Sequence, residues 1–203
     1  MRYKPILRRL FKMRSNEKVR RLTLAGMFVA IIIVMTVVPY TGYISYSPLS
    51  LSITTLHIPV ILASLFLGWK YAAAIGGVWG LTCLVKAFIE PTVANVPFQN
   101  PLVSVMPRIA VGLVAAAVFA LCCKKIIAPV SAIIATAAAT LTNTVLVLSM
   151  LYMFNFFDGF AETVAAIFEA ILSVYISVNG IIELVAAVIL VPLLYTVLSK
   201  VRK

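Results

Sequence analysis

Apolar residues in this chain come in long unbroken blocks, not in the alternating or one-faced patterns of soluble strands and helices. Bilayer hydrocarbon is ~30 Å thick and takes about 20 such residues per helix, somewhat fewer where the bilayer adapts. Six blocks qualify, at residues 22–38, 51–68, 71–88, 102–122, 128–152 and 177–198. The pattern predicts an all-α membrane protein built as a six-transmembrane-helix bundle. An even number of crossings leaves both termini on one side.

Two stretches depart from the block pattern. "MRYKPILRRLFKMRSNEKVRR" sets Ile6, Leu7, Leu10 and Phe11 on one helical stripe with Arg8, Arg9 and Lys12 largely off it, as in a helix lying on an anionic membrane surface. Residues 1–21 are therefore expected to form a basic interfacial segment, and 22–203 the membrane domain. The segment is too long and too basic for a secretory n-region and has several spans behind it, so it is expected to stay in the mature protein. The second stretch, 153–176, carries Phe160, Val164, Ile167, Phe168 and Ile171 at helical spacing, which predicts an amphipathic or re-entrant helix. A seventh crossing there is the alternative, and it submerges Asp158, Glu162 and Glu169.

Composition fits a lipid solvent. Of 203 residues 63% are hydrophobic and 11% charged, too little polar content to coat a water-soluble globule. Charge then orients the bundle. Lys and Arg number 17 against 6 acids, a balance that also suits a nucleic-acid binder. Fifteen of the seventeen, however, flank the spans on one face: nine precede the first span, followed by Lys70, Lys124, Lys125, Lys200, Arg202 and Lys203. A membrane surface accounts for that excess without nucleic acid. The positive-inside rule makes the face cytoplasmic, together with both termini, and the location the cell membrane.

The outer connections are then 39–50, 89–101 and the region around 153–176, longer than the inner turns and rich in Pro, Gly, Asn and Tyr, which suggests ordered turns folded over something. Polar residues inside the spans fall at a matching depth. His57 lies about two turns below the outer surface on the second span and Arg108 about two turns into the fourth. Lys86 is near the outer end of the third span, Asn143 in the outer half of the fifth, and Asn179 and Glu183 share a face of the sixth at i, i+4. Taken singly, each is as well explained as interhelical hydrogen bonding. Convergence from five helices on one level predicts a cavity open to the outside.

Small residues mark close helix contacts: Gly76 and Gly80 in "GGVWG", the run "SAIIATAAAT", and Gly26 with Ala30 in "AGMFVA" near the cytoplasmic end of the first span. Cys83, Cys122 and Cys123 have no metal or redox spacing and read as small apolar packers. A single histidine with no ligand pattern around it argues against a metal site. The chain has no Gly-rich phosphate loop, no recognisable nucleophile with its base, and no repeat of broken helices, which weighs against an ATPase, an intramembrane enzyme and a stand-alone carrier respectively.

The basic tail, the small-xxx-small pair of the first span, "LHIPVILASLFLGWKYAAAIGGVWGL", "NPLVSVMPRIAVGL", "LTNT" and "NGIIE" together resemble the substrate-binding (S) components of energy-coupling factor (ECF) vitamin transporters. The "HIPVI" and "NPLVSVMPRI" segments are most similar to the pantothenate branch. The resemblance implies a six-helix subunit that captures a scarce vitamin outside, riboflavin or another water-soluble vitamin being the alternatives to pantothenate. It implies docking on a transmembrane coupling protein with two cytoplasmic ATPases, no enzymatic activity and no cofactor. Such subunits topple in the membrane to carry the ligand inward and are reset by ATP. Gly26 and Ala30 would face the coupling protein, and the outer loops would form a lid with Tyr43, Tyr46, Asn95, Gln99 and Asn100. Beneath it Trp79, His57, Asn143 and Asn179 would contact the ligand, with Lys86 or Arg108 holding a carboxylate. Lys86 has Glu90 one turn away as a partner, and Glu183 would either neutralise Arg108 or accept bonds from ligand hydroxyls.

Overall fold

The computed structural model of the chain describes residues 4–44, 53–91, 95–157 and 180–201. Helix α1 (Lys4–Val37) leads into a two-stranded antiparallel pair, β1 (Tyr43–Ile44) with β2 (Ile53–Thr54), in which Tyr43 faces Thr54 and Ile44 faces Ile53. Then follow α2 (His57–Leu67), α3 (Trp69–Ile89), a short 3₁₀ turn (Val96–Gln99), α4 (Pro101–Cys122), α5 (Ala128–Phe157) and α6 (Gly180–Val201). Of the region 153–176, expected to form an outer helix, residues 153–157 continue α5 and the rest lies outside the described residues, as do Tyr46 and Asn179.

Five helical stretches are long and apolar enough to cross a bilayer: Glu17–Val37, Trp69–Ile89, Pro101–Cys122, Ala128–Leu151 and Gly180–Lys200. Residues 4–37 form one uninterrupted helix, with no break at the boundary between tail and first span. The second block differs more from expectation. Within the block expected to cross over 51–68, His57–Leu67 is helical, a length of about 16 Å at 1.5 Å per residue and shorter than the other five apolar stretches. Gly68, at φ 83°, ends α2 in a conformation that side-chain-bearing residues avoid, and Ile53–Thr54 at the other end are extended. The physical reason is burial. Of the α2 residues only Phe66 is not fully buried, and the helix touches each of the other five. Protein surrounds it, so its outer backbone groups can bond to neighbouring chain segments and need no helix to satisfy them.

Around α2 the order of packing is α3 on α4, α4 on α5 and α5 on α6, with α1 against α2 and α3. The α3–α4 contact is backbone on backbone. A Cβ at Gly76 would strike the Arg108 carbonyl, and one at Gly80 would fall 2.6 Å from the Val105 Cα. Glycine there lets the two helices approach closely, which is what sets Trp79 on α3 beside Arg108 on α4. At the end of α2 away from His57, Tyr195 of α6 stacks on Phe66 at 5.0 Å between centroids and meets Phe119 of α4 edge-on at 5.3 Å.

Candidate functional site

Arg108 stands at the centre of the polar end. Pro107, just before it, has no N–H, so the Val103 carbonyl four residues back lacks its intrahelical donor. Arg108 Nη1 donates to that carbonyl at 2.9 Å. The guanidinium carbon sits 5.4 Å from the Trp79 ring centroid and 5.1 Å from that of Phe98, an aromatic setting suited to a cation. The 3₁₀ turn that supplies Phe98 is tied down in its turn, because the Ser104 hydroxyl donates to the Phe98 carbonyl. Arg108 is 5% exposed, and its Nε is buried without a hydrogen-bond partner.

Glu183 is 1% exposed on the inward stripe of α6, followed at four-residue intervals by Ala187 and Val191. Its Oε1 accepts from the Thr54 N–H at 2.6 Å and from the Thr54 hydroxyl at 3.0 Å. Arg108 is near enough to act on it electrostatically, but no ion pair joins the two. Among the described residues the ion pair is Lys86 with Glu90, at 2.9 Å and partly in the open. The Lys86 ammonium also lies 5.1 Å from the Tyr43 ring centroid, while the Tyr43 hydroxyl and Cys83 Sγ are 3.0 Å apart. His57, 1% exposed, lies against the backbone of Thr54 and Glu183.

Six buried polar side-chain atoms among the described residues have no hydrogen-bond partner: both His57 nitrogens, Trp79 Nε1, Arg108 Nε, Thr140 Oγ1 and Asn143 Oδ1. Native chains leave few such groups, since each costs ~1–3 kcal/mol unmatched. They come from α2, α3, α4 and α5, helices that pack on one another. The outer-loop amides are used differently. Asn95 Nδ2 donates to the Glu90 carbonyl and Gln99 Nε2 to that of Ala87, closing the end of α3, while Asn100 Oδ1 accepts from Leu102 N and caps α4. On α1, Gly26 and Ala30 are exposed, and a Cβ at Gly26 would meet nothing within 4 Å.

A family model described as "ECF transporter, substrate-specific component" matches residues 20–195. The chain belongs to that family. The S component is 30% identical over 203 residues to "Pantothenic acid transporter PanT" of Lactococcus lactis subsp. cremoris, covering 93% of this chain and 98% of the relative. It is 36% identical over 103 residues to "Pantothenate transporter PanT" of Leuconostoc mesenteroides subsp. mesenteroides, about half of each chain.

Several contacts and residues of this S component's polar end escaped the sequence. Thr54 and Glu183 meet across 129 positions, and Cys83, read as an apolar packer, meets Tyr43 across 40. Phe98 and Thr140 carried no local signal. The "MPR" triplet did: a proline inside a helix frees a carbonyl four residues back, within reach of the next long donor.

Proposed function

We propose that this chain is the pantothenate-binding subunit of an ECF-type ATP-driven importer, spanning the cell membrane with both termini in the cytoplasm and docking on a transmembrane coupling protein with two ATPases. Pantothenate is a carboxylate with an amide and two hydroxyls. The observation that carries the assignment is Arg108, a buried guanidinium with no ion-pair partner among the described residues, in a chain similar over nearly its whole length to a pantothenic acid transporter. A carboxylate cannot leave water cheaply without such a partner, and a planar fork held between aromatic faces can grip it bidentately. Lys86 is the lesser candidate because Glu90 already engages it. His57, Trp79, Thr140 and Asn143 offer unpartnered donors and acceptors for the amide and hydroxyls.

Arg108→Gln tests the anchor. Pantothenate affinity should fall at least tenfold, about 1.4 kcal/mol, in a variant that remains folded. Equal affinity in the folded variant refutes the role of Arg108, and tight binding of an uncharged vitamin by the parent protein refutes the substrate.

A further inference from the structure

Along α3 one stripe runs from the buried centre of the bundle to the exposed end of the helix: Trp79, Cys83, Lys86 and Glu90, at steps of four, three and four residues. Trp79 and Cys83 are buried, the Lys86 side chain is 25% exposed and that of Glu90 56%. A cation rests against an aromatic ring at each of two levels. Arg108 lies on Trp79, and seven residues on, about 10 Å along the helix axis, Lys86 lies on Tyr43. Tyr43 joins the two levels, since its hydroxyl meets Cys83 and Arg108 is near enough to act on it electrostatically. The two cations differ in what they hold. Arg108 has no ion-pair partner among the described residues, whereas Lys86 pairs with Glu90 one turn away. Such an i, i+4 pair in contact with water contributes little, so an incoming carboxylate can displace Glu90 at small cost.

We infer that Lys86 is a positioning residue for ligand entry: a relay cation with an exchangeable partner, which takes up the ligand's carboxylate first and releases it to Arg108. The inference rests on the proposal that pantothenate is bound at Arg108. A residue that holds the ligand on the way in, and pairs with Glu90 again once the carboxylate has moved on, stabilises the crossing and not the bound state. By microscopic reversibility its removal slows association and dissociation by the same factor and leaves Kd unchanged. An anchor behaves differently, because losing it chiefly speeds dissociation. A charge that acts on an approaching ligand is also screened by salt, so its effect on the rate fades as ionic strength rises.

The test times association and dissociation of pantothenate on the full-length protein in nanodiscs, at low and at high ionic strength, and repeats the association with the uncharged alcohol analogue of pantothenate. Lys86→Gln should slow both rates for pantothenate at least threefold at low ionic strength, with Kd within twofold of the parent. The difference should shrink at high ionic strength and be absent for the alcohol analogue. Lys86→Arg, which keeps the cation, should stay within twofold of the parent in both rates. Parental association in a folded Lys86→Gln protein overturns the relay, whether dissociation is unchanged, which leaves the pair with Glu90 structural, or faster, which makes Lys86 part of the bound site. Equal slowing for the alcohol analogue also overturns it, because the carboxylate is then not what Lys86 handles. A parent protein that binds no pantothenate removes the substrate assignment and the relay with it, whereas a parent that binds it confines any failure to Lys86.

Discussion

Replacing Pro107 with alanine should raise stability and lower affinity at once. The new N–H points at the Val103 carbonyl, where Arg108 Nη1 now donates at 2.9 Å. Proline costs ~3 kcal/mol against alanine in a helix interior, and the bond from a charged donor that offsets part of this is worth ~1.5–3 kcal/mol. A carbonyl has two lone pairs, so the restored helix bond weakens the Arg108 contact without abolishing it. Taking half the bond as lost, the guanidinium gives up about 1 kcal/mol of preorganisation, close to fivefold in affinity, while the protein gains about 2 kcal/mol, the ~3 kcal/mol proline cost less that loss. Aromatic contacts with Trp79 and Phe98 remain and keep the loss moderate. Calorimetric titration with pantothenate and thermal unfolding read the two effects separately. A double-mutant cycle then isolates the route, because Pro107→Ala should cost nothing further in an Arg108→Gln background. A raised midpoint with unchanged affinity, or equal losses in both backgrounds, refutes the coupling between Pro107 and Arg108.

Gly76→Ala should cost about 1–3 kcal/mol, because its Cβ meets the backbone carbonyl of Arg108 and not a side chain that can turn away. An unfolding midpoint equal to the parent's would show that α3 and α4 do not touch there. Gly26→Trp and Ala30→Trp add volume to an exposed face of α1, so folding and pantothenate binding should persist while assembly with the coupling module and cellular uptake fail. Uptake at parental levels in both variants would remove Gly26 and Ala30 from the docking surface.

How much of this was legible depended on whether lipid or protein set the rule. Helices that face lipid must be long and apolar, and the ranges predicted for the third to sixth spans differ from α3 to α6 by a few residues at each end. Inside the bundle hydropathy loses its meaning. Ile53 and Leu67 look alike to a window average, yet one is in a strand and the other ends a helix. The pairing of Lys86 with Glu90 was visible because it is local, as was the close approach at Gly76 and Gly80. For Asn100 the signal was present and differently weighted: Asn before Pro at the head of an apolar block is a helix start, and the side chain acts as that cap. Contacts such as Thr54 with Glu183 have no local signature, because they follow from how α6 packs on α2.

The same packing fixes the side from which a polar ligand can reach Arg108. Toward the far end of α2 the bundle is filled by apolar side chains and by the Phe66, Tyr195 and Phe119 rings, whose separation would expose several helix faces at once. Toward the near end the described cover is the pairing of Tyr43–Ile44 with Ile53–Thr54, attached through Tyr43 and Thr54. Displacing that cover breaks a few hydrogen bonds, each worth ~0.5–3 kcal/mol net, while opening the opposite end forfeits core burial at ~25 cal/mol per Å² over many side chains. Among the described contacts the cheaper separation is therefore at the hairpin. On the proposal that a coupling protein docks on this subunit, the exposed Gly26 and Ala30 of α1 are the surface offered to it, well away from this polar end.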